Sequence, residues 1–253
     1  MNWRRLVRRL EPPPLRRWRG RAPGVRILMY HSVADNASDR WATAPSTFAA
    51  EMELLAARFT VLSLGDAVRS LAARRCPPNA VVLTFDDGYA DLLEQAVPVL
   101  ERHRLPFTVF ALSGAGRESH WEPAHLRKRL LDWEELREVV RRGGSIGSHG
   151  TTHRNLTELD DAELARELVT SKETLENNVG IAVDAFAYPW GRFGGREMAA
   201  VRRAGYTCAL GATDHSRNGP RSDPYSLART AMPYPGSPRA LAEYLSDRLD
   251  RGA

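Results

Sequence analysis

From Val25 onward, short apolar runs alternate with segments whose apolar positions recur every three or four residues. Strands are predicted at Val25–Tyr30, Phe59–Ser63, Ala80–Phe85, Phe107–Leu112, Ser145–Ser148, Val183–Tyr188, Tyr206–Leu210 and Ser226–Met232. Ala80-Val81-Val82-Leu83 is apolar on both faces, as in strands buried within parallel sheets. Helix starts are legible between the runs. Ser46 caps a predicted helix with Phe48, Met52 and Leu55 on one face, and Asp132 with Glu135 forms a capping-box pattern. Thr157 with Asp160 is a weaker version of that pattern, followed by the stripe Leu164, Leu168, Ser171 and Leu175 toward Gly180. Ser237-Pro238 opens a last helix that places Leu241, Tyr244, Leu245 and Leu249 inside. Regular β–α alternation with such strands predicts either a parallel α/β barrel or an open doubly wound sheet.

The first 26 residues follow a different rule. Trp3, Leu6, Val7 and Leu10 fall at i, i+3, i+4 and i+7 with arginines between them, and Pro12-Pro13-Pro14 stops the pattern. Nine arginines against Glu11 alone give this stretch a net charge of +8, which leaves −3 on the rest of a chain whose total is +5. Residues 1–24 therefore read as a basic amphipathic tail and 25–253 as one folded domain. The domain's mild acidity argues against a nucleic-acid partner. Residues 1–10 suit reversible contact with an anionic membrane surface. The tail lacks the apolar core of a secretory signal, so the expected location is cytoplasmic, peripheral at the inner face of the membrane. No apolar run of about 18 residues is present to span a bilayer. Cys76 and Cys208 are too few for a disulfide framework or a cysteine-based zinc site.

Two segments carry chemistry. Thr84-Phe85-Asp86-Asp87-Gly88 directly follows an apolar strand, and in parallel α/β architecture strand C-termini are where sites are built. Adjacent carboxylates point in different directions, so one can bind a metal while the other handles a proton. Gly147-Ser148-His149-Gly150-Thr151-Thr152-His153 also lies at a strand end. Two histidines four apart share a face if they lie on a helical turn, and can then close on one ion. With one of the two aspartates they make a two-His, one-carboxylate site with open positions, which is the style of a catalytic rather than a structural metal. His103, His120, His125 and His215 sit in polar segments and receive no role.

Thr84–Gly88 and Ser148–His153 resemble the first two motifs of the polysaccharide deacetylase family, carbohydrate esterase family four. Phe186-Ala187-Tyr188-Pro189-Trp190-Gly191 resembles its third, groove-lining motif, and the likeness runs from about Ile27 to Met232. The resemblance implies a distorted (β/α) barrel of about seven units over residues 25–253. It also implies a metal-dependent hydrolase that removes N-acetyl groups from N-acetylglucosamine-like poly- or oligosaccharides. One divalent ion, zinc first and cobalt, nickel or iron as alternatives, would be held by Asp87, His149 and His153, with Asp86 as general base. Tyr188, Pro189 and Trp190 would meet the sugar, and the Trp190 backbone N–H would receive the developing oxyanion.

Two departures qualify this picture. Ala187 stands where the family has an arginine against the catalytic aspartate, and the late motifs that bring a catalytic histidine are absent after Pro189. However, Leu28-Met29-Tyr30-His31-Ser32-Val33 resembles the branch that deacetylates poly-N-acetylglucosamine and takes its histidine from the first strand. That makes His31 the expected general acid. Leu227-Ala228-Arg229 matches the same branch, and Arg229 is expected on the substrate side of the site or as the replacement for the missing arginine. The alternatives are hydrolysis of another non-peptide C–N bond, such as a formamide, or a barrel that binds glycans without cleaving them.

Overall fold

The computed structural model describes residues 24–114, 116, 118–212, 217–232 and 238–245. The expected membrane-contact tail, His215, Ser237 and Leu249 lie outside these residues. The chain opens with β1 (Val25–Tyr30), β2 (Ser32–Val33), β3 (Ala42–Thr43), α1 (Pro45–Arg58), β4 (Thr60–Val61), α2 (Leu64–Ala72) and β5 (Ala80–Phe85). A π-helical turn, Leu92–Ala96, leads into α3 (Val97–His103) and β6 (Phe107–Ala111). Next come α4 (Trp133–Arg141), β7 (Gly144–Ser148), α5 (Asp161–Val179), β8 (Ala185–Ala187), α6 (Gly195–Arg203) and β9 (Cys208–Leu210). Last are β10 (Thr230–Ala231) and α7 (Pro238–Leu245).

One parallel sheet runs in the order β10-β1-β5-β6-β7-β8-β9. Strands β1 and β5 pair along their whole length, from Val25–Ala80 to Tyr30–Phe85, and every residue of both is buried. Burial on both faces is what the unbroken apolar run at Ala80–Leu83 predicts. Strand β6 pairs only with the C-terminal end of β5, at Thr84 and Phe85, while β4 fills the gap at the other end, at Ala80 and Val81. The ring closes through a parallel bridge between Leu210 of β9 and Leu227, in the segment that runs into β10. Seven strands thus follow one another around the barrel, matching the expected unit count, with β4 an eighth strand that pairs with β5 off this path. Helices α1 to α7 turn their apolar faces inward, for example Phe48, Met52 and Leu55 of α1 and Leu164, Leu168 and Leu175 of α5.

Several local expectations need correction. Helix α1 starts after Ala44 with Pro45 in its first turn, where proline's fixed φ is already helical, so Ser46 is not its cap. The capping box of α5 is Asp160 with Glu163, and Thr157 belongs to a separate 3₁₀ turn, Leu156–Glu158. The Asp132–Glu135 box on α4 and the left-handed Gly180 that ends α5 stand as predicted. Strand β8 stops at Ala187 because Pro189 cannot extend a ladder. No helix among the described residues is long and apolar enough to cross a membrane.

Candidate active site

The C-terminal ends of β1, β5, β7 and β8 gather the predicted side chains. Asp86 N–H donates to the Tyr30 carbonyl at 2.9 Å, which ties the end of β5 to the end of β1 and sets His31 beside the two aspartates. His149 N–H donates to the Ala111 carbonyl at the end of β6, again at 2.9 Å. Asp87, His153 and Trp190 all adopt left-handed backbone with φ between 61° and 69°. Such conformations cost about 1–3 kcal/mol each and cluster where a side chain must be aimed against local preference. Gly88, also at positive φ, completes the turn after Asp87.

The two histidines do converge, but not on a helical turn. They lie on a loop whose left-handed step at His153 swings its ring back toward His149, with ring centroids 5.0 Å apart. Nε2 of His149 is 3.4 Å and Nε2 of His153 3.3 Å from the same Asp87 oxygen, Oδ1. One ligand atom from each of these three residues lies within 4.8 Å of the others. Among the described residues they are the one such group of three or more. The ring nitrogen Nδ1 of His149 is 2.8 Å from the Ala187 carbonyl. Since that oxygen only accepts, Nδ1 carries the proton and the Nε2 lone pair faces Asp87. Ala187 thus contributes through its backbone where the family's arginine would contribute a side chain.

Electrostatics fit a cation at this point. Asp87 Oδ1 is buried with no hydrogen-bond donor, a costly state for a carboxylate oxygen unless a positive charge faces it. Burial alone would raise the Asp87 pKa, but the surrounding histidines outweigh it and hold the group ionised, well below the usual carboxylate range. Burial drives His149 down to about 4, so its ring is neutral and able to ligate. A divalent ion bound by nitrogen and oxygen donors matches this set, and two-His, one-carboxylate ligation leaves positions open.

Asp86 has different partners. Its two oxygens accept from Arg229 Nη1 at 2.6 Å and Nη2 at 2.7 Å, a bidentate pair, while Arg229 Nε donates to the Gly211 carbonyl at 2.9 Å. Burial pushes the Asp86 pKa up, and the Arg229 guanidinium with the nearby histidines pulls it below its ordinary value. Arg229 is only 1% exposed, as deeply buried as Asp86 itself. The structure places it against Asp86, one of the two places expected for it, from the segment that closes the barrel.

Tyr188 is also corrected as a sugar-facing residue. It is fully buried, stacks on Phe193 at 4.3 Å and donates its hydroxyl to the Tyr225 carbonyl at 2.9 Å. Pro189 is buried as well. Trp190 is 57% exposed, and its indole N–H donates to the His153 carbonyl at 3.1 Å. It borders a cleft of about 320 Å³ that is also lined by His153, Arg154, Asn155, Glu158 and Arg192. His31 is half-buried and lies against Trp41, with ring centroids 4.6 Å apart. Burial lowers its pKa, and Asp87 and Asp86 pull it partly back. His120 and His125 are exposed, as their polar segments predict.

Trp121, whose segment offered either a groove border or loop packing, stacks on His153 at 4.5 Å. Other neighbours were not legible: Lys128 pairs with Asp39 while its ammonium sits 4.3 Å over the Tyr89 ring. Glu167 of α5 accepts from the His-bearing loop. A carboxylate interrupting the apolar stripe Leu164-Leu168-Ser171 was the one available signal for it.

The family model described as polysaccharide deacetylase matches residues 73–209. A relative from Bacillus subtilis, "Putative polysaccharide deacetylase YxkH", is 30% identical over 182 residues, 71% of this chain and 61% of its own length. The poly-beta-1,6-N-acetyl-D-glucosamine N-deacetylase of Staphylococcus aureus strain MRSA252 is 22% identical over 60% of this chain and 54% of its own length. The chain therefore spans little more than half of these relatives. The structure of the Streptococcus pyogenes deacetylase PplD in complex with acetate aligns over 89% of this chain and 99% of that one. Its TM-score is 0.77 at 23% identity, which shows a shared fold. By the match over residues 73–209, more than half its length, the chain belongs to the polysaccharide deacetylase family.

Proposed function

We propose that this protein is a metal-dependent hydrolase that removes N-acetyl groups from N-acetylglucosamine-like units of a poly- or oligosaccharide. The observation that carries the reading is the convergence of Asp87, His149 and His153 beside an aspartate held by its own arginine. Family membership and the Staphylococcus aureus relative, whose name gives poly-beta-1,6-N-acetyl-D-glucosamine as its substrate, support the sugar class.

A divalent ion held by Asp87, His149 and His153, zinc first among the candidates, would supply Lewis acidity toward an amide carbonyl and acidify water. Asp86 takes the proton of the attacking water, and Arg229 keeps its carboxylate ionised and fixed in orientation while it waits. The Trp190 backbone N–H is the proposed donor to the carbonyl oxygen as negative charge develops there. The departing sugar nitrogen needs a proton, and His31, across from Asp86 at the end of β1, is the group proposed to give it. The exposed Trp190 face offers flat apolar surface to a pyranose ring.

The test is acetate release from N-acetylglucosamine oligomers, with and without a chelator. Release that stops with chelator and returns with zinc is expected; chelator-insensitive release, or none from any acetylated amino sugar, overturns the reading. In the same assay His31→Ala should slow amide cleavage strongly while sparing aryl acetates, whose leaving group needs no proton. Equal losses on both would remove His31 as the acid.

A further inference from the structure

We infer that Glu167 is a positioning residue for the metal ligands: its carboxylate is the template around which the loop bearing His149 and His153 is folded. The inference rests on the proposed ion at Asp87, His149 and His153. Glu167 Oε2 accepts from the backbone N–H of Thr151 at 2.6 Å and of Thr152 at 3.1 Å, and Oε1 accepts from the Thr152 hydroxyl. Its own carbonyl accepts from the Thr151 hydroxyl at 3.3 Å. Successive backbone N–H groups aimed at one anion form a concave nest, here filled by a side chain of the same molecule.

The carboxylate lies hard against the loop: a Cβ added at Gly150 would sit 3.1 Å from Glu167 Oε2. Glu167 is buried, and no cation pairs with it among the described residues, so the loop's own donors carry its compensation. Charge-assisted bonds of this kind are stronger than neutral ones and fix direction as well as distance. One turn further along α5, Ser171 accepts from the Ser148 hydroxyl at 2.8 Å. Two points on one helix therefore hold both flanks of His149. The left-handed step at His153 follows directly after Thr152, and a non-glycine residue stays in that conformation only when its surroundings determine it. Glu167 supplies that determination without touching an ion.

Titration of the full chain with cobalt(II), read by its visible absorption and by equilibrium dialysis, tests this. Glu167→Ala should weaken cobalt binding by about 10–100-fold, the usual effect of losing a partner that orients metal ligands, and should change the absorption spectrum of the bound ion. Glu167→Gln, which keeps one acceptor and the side-chain length, should recover part of the affinity. A folded Glu167→Ala variant with parental affinity and spectrum overturns the inference. If that variant does not fold, Glu167→Gln decides: affinity within twofold of the parent and an unchanged spectrum overturn it, and a loss of several-fold sustains it. A parent protein that takes up no cobalt overturns the metal reading itself, a different result from a binding parent and an indifferent variant.

Discussion

Asp86 and Asp87 are neighbours in sequence with opposite surroundings. Asp87 faces two imidazole nitrogens and keeps an oxygen without a donor, while both oxygens of Asp86 are clamped by Arg229. The difference supports the proposed division of roles, Asp87 as ligand and Asp86 as base. Asp86→Asn should keep the ion yet lose roughly two to four orders of magnitude in activity, the usual worth of a general base. Arg229→Met should destabilise the protein by about 3–5 kcal/mol, because it strands a buried carboxylate. Adding Asp86→Asn to Arg229→Met removes that stranded charge, so the double variant should regain much of the stability and stay inactive. Denaturant unfolding of the three variants checks this. Additive losses would mean that the two side chains act independently despite their contact.

At the scale of elements, strands β1 and β5 were legible because they are buried on both faces, and the aspartates and His31 because they immediately follow those strands. What could not be read depends on contacts between distant segments. Arg229 meets Asp86 across 143 residues; the resemblance at Leu227-Ala228-Arg229 offered that contact beside a place on the substrate side, and nothing local to those residues chooses between the two. Tyr188 was expected at the groove because Phe186–Gly191 resembles the family's third motif, yet Phe193 and the Tyr225 carbonyl hold it in the core. The four-residue spacing of His149 and His153 pointed to two rings that do converge, but by another geometry, since a positive φ does the work of a helical turn. Helix α1 holds another buried acid: Glu51 accepts from the Tyr30 hydroxyl at 2.8 Å, and burial raises its pKa from 4.5 to about 7. The folded state therefore binds this proton more tightly than the unfolded chain. Its stabilisation is complete below about pH 4.5 and is lost as pH rises through about 7, a difference of about 3 kcal/mol at most. Glu51→Gln, always neutral, should match the parent near pH 4.5 and melt several degrees higher at pH 8. An equal difference at both pH values would show that Glu51 does not titrate in this way.

For the molecule as a whole, the seven-stranded ring does more than bury apolar side chains. Its closing segment, bridged to β9 at Leu227, also carries Arg229 to Asp86, so the strand that closes the barrel and the partner of the proposed base lie on one stretch of chain. The ring also puts His31 from β1, the aspartates from β5 and the histidines from β7 at one end, the arrangement the whole account depends on. Metal analysis of the purified protein and of its His153→Ala variant tests that arrangement most directly. The account predicts about one equivalent of a divalent ion in the parent and almost none in a variant that keeps its fold by circular dichroism. Undiminished metal in the folded His153→Ala protein would contradict it.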